Sequence, residues 1–228
     1  MGESATALIR PLALALWGSV LLSSSLSGRL DLLLRGAFHP LVGVSGVLLL
    51  ALAIQQANRP SPSDRRSRRR WSLSCLLALA VLLVPPNPSF SDLAANRSGD
   101  PGGAGDQQTG LEFQLPPGQR SLTDWVRLLR SQPDPALYAD DPVNISGFVL
   151  ARPGEPAQLA RLLVRCCLAD ASPVGLPVRW PRGFRPQADQ WLAIRGRMGV
   201  ERHDGRWQSV VIARQIRPIP RPPRPLEP

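Results

Sequence analysis

The chain has 228 residues and carries 27 basic against 17 acidic side chains, a formal charge of +10 in which every cation is arginine. Two histidines and three cysteines exclude a disulfide-stapled scaffold and leave little material for a histidine-based hydrolytic site. The hydrophobic fraction of 43% resembles that of a soluble protein, but the apolar residues crowd into the first ninety positions, so the average conceals membrane-spanning stretches.

Residues 8–27 read LIRPLALALWGSVLLSSSLS, with Arg10 as the one charge. About 20 such residues at 1.5 Å rise cross a hydrocarbon core of ~30 Å. A cleaved signal peptide is the rival reading, with Arg10 in its basic region and small residues 23–27 near a cleavage site; the apolar stretches that follow favour a retained helix. A second span is expected over 36–56, where Gly43 and Gly46 set small residues about one turn apart, a spacing that lets helices approach in lipid. A third is expected over 71–90, with Trp71 and Phe90 as interfacial anchors around a twelve-residue apolar core, 73–84.

Between the second and third stretches lie Arg59, Arg65, Arg66, Arg68, Arg69 and Arg70, with only Asp64 against them. Such a block reads as a nucleic-acid patch, a solvated tail or a topology signal. Its position between two apolar stretches selects the last, because arginines in short loops hold those loops in the cytoplasm. With three spans, the N-terminus is then cytoplasmic and the chain beyond residue 90 is outside.

Residues 91–120 are rich in Gly, Pro, Asn and Asp and read as a flexible linker. Ser121 and Asp124 form a capping signature ahead of Leu122, Trp125, Val126, Leu128 and Leu129, which share one helical face. From Val143 the period shortens. Five β-type runs follow, at 143–150, 160–167, 175–180, 191–200 and 207–216, separated by turn-rich pieces. Gly147 and Gly196 inside two of them suit the sharp coiling of a small barrel. The expected fold is a membrane α-helical region over 1–90, then a mainly β, OB-like five-stranded barrel over 121–218 preceded by one helix. A Pro-rich tail occupies 219–228.

No phosphate-binding, nucleophile-elbow or zinc-hydrolase motif is present, so the chain reads as a non-enzyme. Residues 121–228 hold 16 Arg and 10 acidic residues. Single-strand binders also need aromatic platforms, and Phe148, Trp180, Trp191 and Trp207 are scattered, so no nucleic-acid partner is expected. The chemical interest lies in Arg165-Cys166-Cys167-Leu168-Ala169-Asp170-Ala171. On a continuous strand Cys166 and Cys167 would face opposite ways, and two packing residues at a strand end are one reading. Three chemistries compete with it: a soft-metal site with Asp170 or His203 as the harder ligand, a strained vicinal disulfide serving as a redox switch, and a single thiol activated by Arg165.

Gly-Phe-Val at 147–149, Arg-Cys-Cys-Leu-Ala-Asp-Ala at 165–171 and Trp-Leu-Ala-Ile-Arg-Gly at 191–196, behind N-terminal apolar helices, resemble the YcgQ-like family of permease subunits. The resemblance implies a few spans, a C-terminal β domain and pairing with a separate multi-spanning permease. Carried over by position, it singles out Cys166, Cys167 and Asp170, with Gly147 and Gly196 as shaping glycines. The expected function is a non-enzymatic accessory subunit of a membrane permease, with metal or another ion as cargo. The alternatives are a membrane-anchored metal or thiol-redox domain and a structural envelope protein.

Overall fold

A helix over Ile9–Leu26 (α1) opens the chain in a computed structural model that describes residues 8–58, 65–84, 87–97, 115–203 and 205–227. Contacts divide the chain into two units, Met1–Asn87 with Cys166–Leu168, and Pro88–Arg165 with Ala169–Pro228.

In the first unit, α1 tolerates Pro11 in its opening turn, where the missing N–H has no carbonyl to meet. Gly28 follows with φ 72°, the left-handed conformation that a glycine adopts without strain. The chain then enters α2 (His39–Asn58). The two helices meet at glycines. A Cβ on Gly18 would lie 2.9 Å from the Gly46 carbonyl oxygen, and one on Gly46 would lie 2.9 Å from Leu22 Cγ. Gly43 is looser, with Ser25 Oγ at 3.7 Å. The close approach therefore pairs Gly46 with Gly18 across the interface. Outside that contact α2 leaves Leu41, Val44, Val47, Leu48, Leu52 and Ile54 between 46% and 65% exposed, a surface that hydrocarbon accommodates and water penalises.

The third helix, α3, spans Arg65–Leu83. It runs parallel to α1: Arg10 lies over the Trp71 ring, Trp17 Nε1 donates to Ser74 Oγ at 2.9 Å, and Arg29 Nη1 donates to the Leu82 carbonyl at 3.2 Å. The expected third span over 71–90 is displaced. Helix formation starts inside the arginine block, because arginine is a good helix former, and the apolar part is Trp71 to Leu83. These thirteen residues reach about 20 Å, short of the ~30 Å core. Two helices of the described residues, Ile9–Leu26 and Gly36–Asn58, are long and apolar enough to cross a membrane.

The second unit begins earlier than a linker over 91–120 would allow. Ser89 Oγ accepts from the Asp92 N–H and caps a six-residue helix, α4 (Phe90–Ala95). Phe90 is fully buried, edge-on to Phe148 and Trp191 at centroid distances of 5.8 and 6.2 Å. Ser91 extends the anchor: its N–H donates to Asp189 Oδ1 at 2.6 Å and its Oγ accepts from the Ala151 N–H at 3.2 Å. The remainder of the expected linker, 98–114, lies outside the described residues. Helix α5 (Leu122–Ser131) carries the full capping box between Ser121 and Asp124. Its Leu122, Trp125, Val126 and Leu128 are buried in one core with Val143, Ile145, Leu159, Val174, Leu176, Ile194, Met198 and Val211.

That core fills a closed barrel of five strands: β1 (Pro142–Leu150), β2 (Gln158–Leu163), β3 (Ser172–Arg179), β4 (Trp191–His203) and β5 (Arg206–Pro218). β1, β2 and β3 pair antiparallel in order, β3 pairs parallel with β5, and β5 pairs antiparallel with β4, which closes on β1. This ring is the order of an OB fold, with α5 ahead of it packing on β1, β2 and β3. Gly147 and Gly196 sit where strands cross closely: a Cβ on Gly147 would lie 2.5 Å from the Ala160 carbonyl oxygen, and one on Gly196 would collide with that of Ile212. Gly196 also follows the register shift after Arg195, a bulge that coils β4 around the barrel.

The Pro-rich tail returns to the barrel. A short sixth strand, β6 (Leu226–Glu227), pairs parallel with Leu162 and Leu163 of β2. β1 has parted from β2 by that point, its pairing ending at Ala160, so β6 covers an edge that would otherwise be bare. Glu227 anchors it. Its carboxylate accepts from the Thr123 hydroxyl and lies 3.3 Å from Arg161 Nε. Arg161 also donates to the Ser146 carbonyl at 2.9 Å and to Ser146 Oγ at 2.8 Å, and stacks over Trp191. Burial pushes the Arg161 pKa down from its ordinary value and Glu227 partly offsets this.

Candidate metal centre

The cysteine pair lies just past the end of β2, and two hydrogen bonds explain why the strand stops there. The Val164 N–H turns to the Glu227 carbonyl at 2.8 Å, and the Arg165 N–H to Asp170 Oδ1 at 3.0 Å. The second bond closes a small loop over 165–170, in which Leu168–Asp170 makes one 3-10 turn. A run of strand through 160–167 would have put the two cysteines on opposite faces. The strand ends at Leu163 instead, and the backbone bends at Arg165 and Cys166.

The bend brings the two thiols together. Cys166 Sγ and Cys167 Sγ are 3.5 Å apart, and these two atoms and an Asp170 carboxylate oxygen all lie within 4.8 Å of one another. Two thiolates on a tetrahedral ion, each with a metal–sulfur bond of about 2.3 Å, stand about 3.8 Å apart. The observed separation is within a few tenths of an ångström of that value, so little rearrangement is needed to close the pair on one ion. Cys166 is exposed, while Cys167 and Asp170 are half-buried, which gives an ion a route in from solvent. Two sulfurs and one carboxylate suit a soft or borderline cation. Three protein donors leave a fourth tetrahedral position for water or for a donor from another molecule.

Arg97 supports the loop from outside. Its Nη2 donates to the Ala169 carbonyl at 3.1 Å and its Nη1 to the Ala171 carbonyl, so one guanidinium fixes the backbone on both sides of Asp170. It also sets a positive charge beside an anionic donor set. Sequence reasoning missed Arg97 because it lies in the region read as linker, and no local pattern marks it. The cluster does not include His203, which ends β4 opposite Arg206 in the β4–β5 hairpin. Gly147 and Gly196 belong to the barrel wall. Arg69 and Arg70 are exposed near the start of α3; Arg65, Arg66 and Arg68 lie on the same helix, and their side chains fall outside the described residues.

No curated protein and no solved structure matches the chain. Residues 120–226 match the family model described as the DUF1980 C-terminal domain, a span that takes in α5, the five barrel strands and the cysteine loop. The part of this chain that holds the candidate metal centre is thus similar to the DUF1980 C-terminal domain family.

Proposed function

We propose that the chain is a non-enzymatic, membrane-anchored accessory subunit that binds a soft metal ion at Cys166, Cys167 and Asp170 and presents it to a multi-spanning permease. One observation carries this reading: two neighbouring thiols lie 3.5 Å apart beside a carboxylate, in a loop open to solvent on the Cys166 side. A site of three protein donors suits transfer better than storage, because an incoming ligand can join the ion before a protein ligand leaves. Two apolar helices supply the anchor, and the resemblance to permease subunits supplies the class of partner.

Charge placement supports an orientation. Arg10 lies by Trp71, at the end of the helical unit that carries Arg69 and Arg70. A cytoplasmic position for this end satisfies the bias of arginines toward that side. α3, parallel to α1, then returns the chain to the far side. Its short apolar stretch is compensated by arginine side chains snorkelling to the interface, and the barrel becomes extracytoplasmic.

The test is cobalt titration of the full chain in detergent. Thiolate-to-cobalt absorption saturating at one equivalent, and lost in Cys166→Ser and Cys167→Ser, supports the site. The absence of such absorption in the wild type rejects it. Co-purification with a multi-spanning protein tests the partner, and isolation of the chain alone after mild extraction counts against it.

A second reading rests on the same distance. An oxidant of the thiol–disulfide class could take two electrons and two protons from the pair, closing the 3.5 Å gap to an S–S bond of about 2.05 Å. Reversible loss of two thiols to alkylation, without metal uptake, would select it. Cysteines kept for packing alone fit the exposure of Cys166 poorly.

A further inference from the structure

The β4–β5 hairpin extends past the core and ends in an unusual group of side chains. On β5, the face that buries Val211 and Ser209 continues to Trp207, which is 64% exposed. Trp207 stands opposite Arg202, and His203 stands opposite Arg206. Gly205, at φ 81°, makes the turn, and Arg202 Nε donates to its carbonyl at 3.4 Å. Asp204 lies outside the described residues; the Glu201 carboxylate is paired with Arg179. The remaining tryptophans of this unit are engaged elsewhere. Trp125 is buried, Trp180 stacks on Phe184 and donates to the Ala157 carbonyl, and Trp191 lies buried under Arg161.

An exposed tryptophan flanked by arginines suits the headgroup layer of a bilayer, where the indole spans the polar–apolar boundary and guanidinium groups meet phosphate. Single-stranded nucleic acid would need several stacking platforms, and among the described residues of this unit one tryptophan is exposed. The bilayer is also at hand, because the same polypeptide carries two helices fit to cross it. We propose that the hairpin tip, through Arg202, Arg206 and Trp207, rests on an anionic membrane surface, with Trp207 at headgroup depth. This rests on the membrane reading of the apolar helices.

The experiment reconstitutes the full chain into lipid nanodiscs with or without anionic lipid and carrying a headgroup spin label. Trp207 emission is taken as the difference between the wild type and Trp207→Phe. In anionic discs the difference signal should be quenched about twofold, and Arg202→Gln with Arg206→Gln should remove about half of that quenching. If the chain enters discs but Trp207 is quenched only by aqueous acrylamide, the hairpin proposal is overturned and the membrane reading stands. If the chain does not enter discs, both fall. Quenching by added oligothymidine and not by labelled lipid overturns the hairpin proposal in favour of a nucleic-acid surface.

Discussion

Arg97 and Ala169 are 72 residues apart in sequence, yet the Arg97 guanidinium donates to the Ala169 carbonyl at 3.1 Å and to the Ala171 carbonyl beside it. The bond ties the segment after α4 to the loop that holds Cys166, Cys167 and Asp170. Together with the Arg165 N–H bond to Asp170 it narrows the arrangements open to residues 165–171, and a metal site needs few.

Replacement of Arg97 by alanine is therefore expected to leave the barrel folded while loosening the donor set. Affinity for a thiophilic ion should fall about 10- to 100-fold, the usual effect of losing an outer support, with the stoichiometry unchanged. Competition with a chromogenic chelator measures this, and an unchanged affinity would remove Arg97 from the site.

Glu227 and Arg161 form a largely buried pair that holds β6 on β2. Glu227→Ala leaves the Arg161 charge without its partner and should cost about 3 kcal/mol. Joint replacement of Arg161 by methionine and Glu227 by leucine should recover much of that loss. Chemical denaturation of the detergent-solubilised chain, followed by tryptophan emission, provides the comparison.

Gly18 and Gly46 allow α1 and α2 to approach at backbone distance. Gly46→Leu should force the helices apart and cost about 1 to 3 kcal/mol, whereas the looser Gly43→Ala should be nearly neutral. Resistance of the helical unit to unfolding in mixed micelles distinguishes the two; equal sensitivity would argue against the packing described.

Tyr138 donates its hydroxyl to Gln132 Oε1 at 2.8 Å, and burial pushes its pKa up from the ordinary value of about 10. The raised folded-state pKa means the unfolded chain ionises first as pH rises. The stability from neutral Tyr138 is present in full below about pH 10 and is lost as pH climbs through the folded-state value. Tyr138→Phe should flatten the decline in thermal midpoint as pH rises above about 10, at the cost of one hydrogen bond at neutral pH.

Much of the architecture could be read from the sequence because burial dictates residue type. The apolar runs around Trp17 and Val47 mark helices, and the alternation around Ile194 marks a strand. Ser121 and Asp124 mark a helix start by hydrogen-bonding chemistry that needs no tertiary context. Ser89 and Asp92 carry the same signature, and it could have found α4 inside the presumed linker. The arginines of α3 pulled the helix start back into the charged block, where helical propensity overrode the hydropathy boundary. β6 was hidden because two residues behind a run of prolines carry no period; only the gap left by β1 makes a strand of them.

The cysteine site was legible by residue type and not by geometry. Cys166, Cys167 and Asp170 stand out as donors in any reading. Their convergence depends on the Arg165 N–H choosing the Asp170 carboxylate over the strand ladder, a competition decided by the tail docking at Val164. His203 was a reasonable fourth ligand by chemistry, but hairpin pairing with Arg206 holds it in the β4–β5 turn.

In the proposed site one soft ion is held by both thiols at once. X-ray absorption on the zinc-loaded full chain tests it most directly. Two sulfur neighbours at about 2.3 Å, with oxygen or nitrogen completing four-coordination, is the expected shell, and Cys167→Ser should reduce the sulfur count to one. A shell of oxygen and nitrogen alone, or an unchanged sulfur count in that variant, would contradict the account.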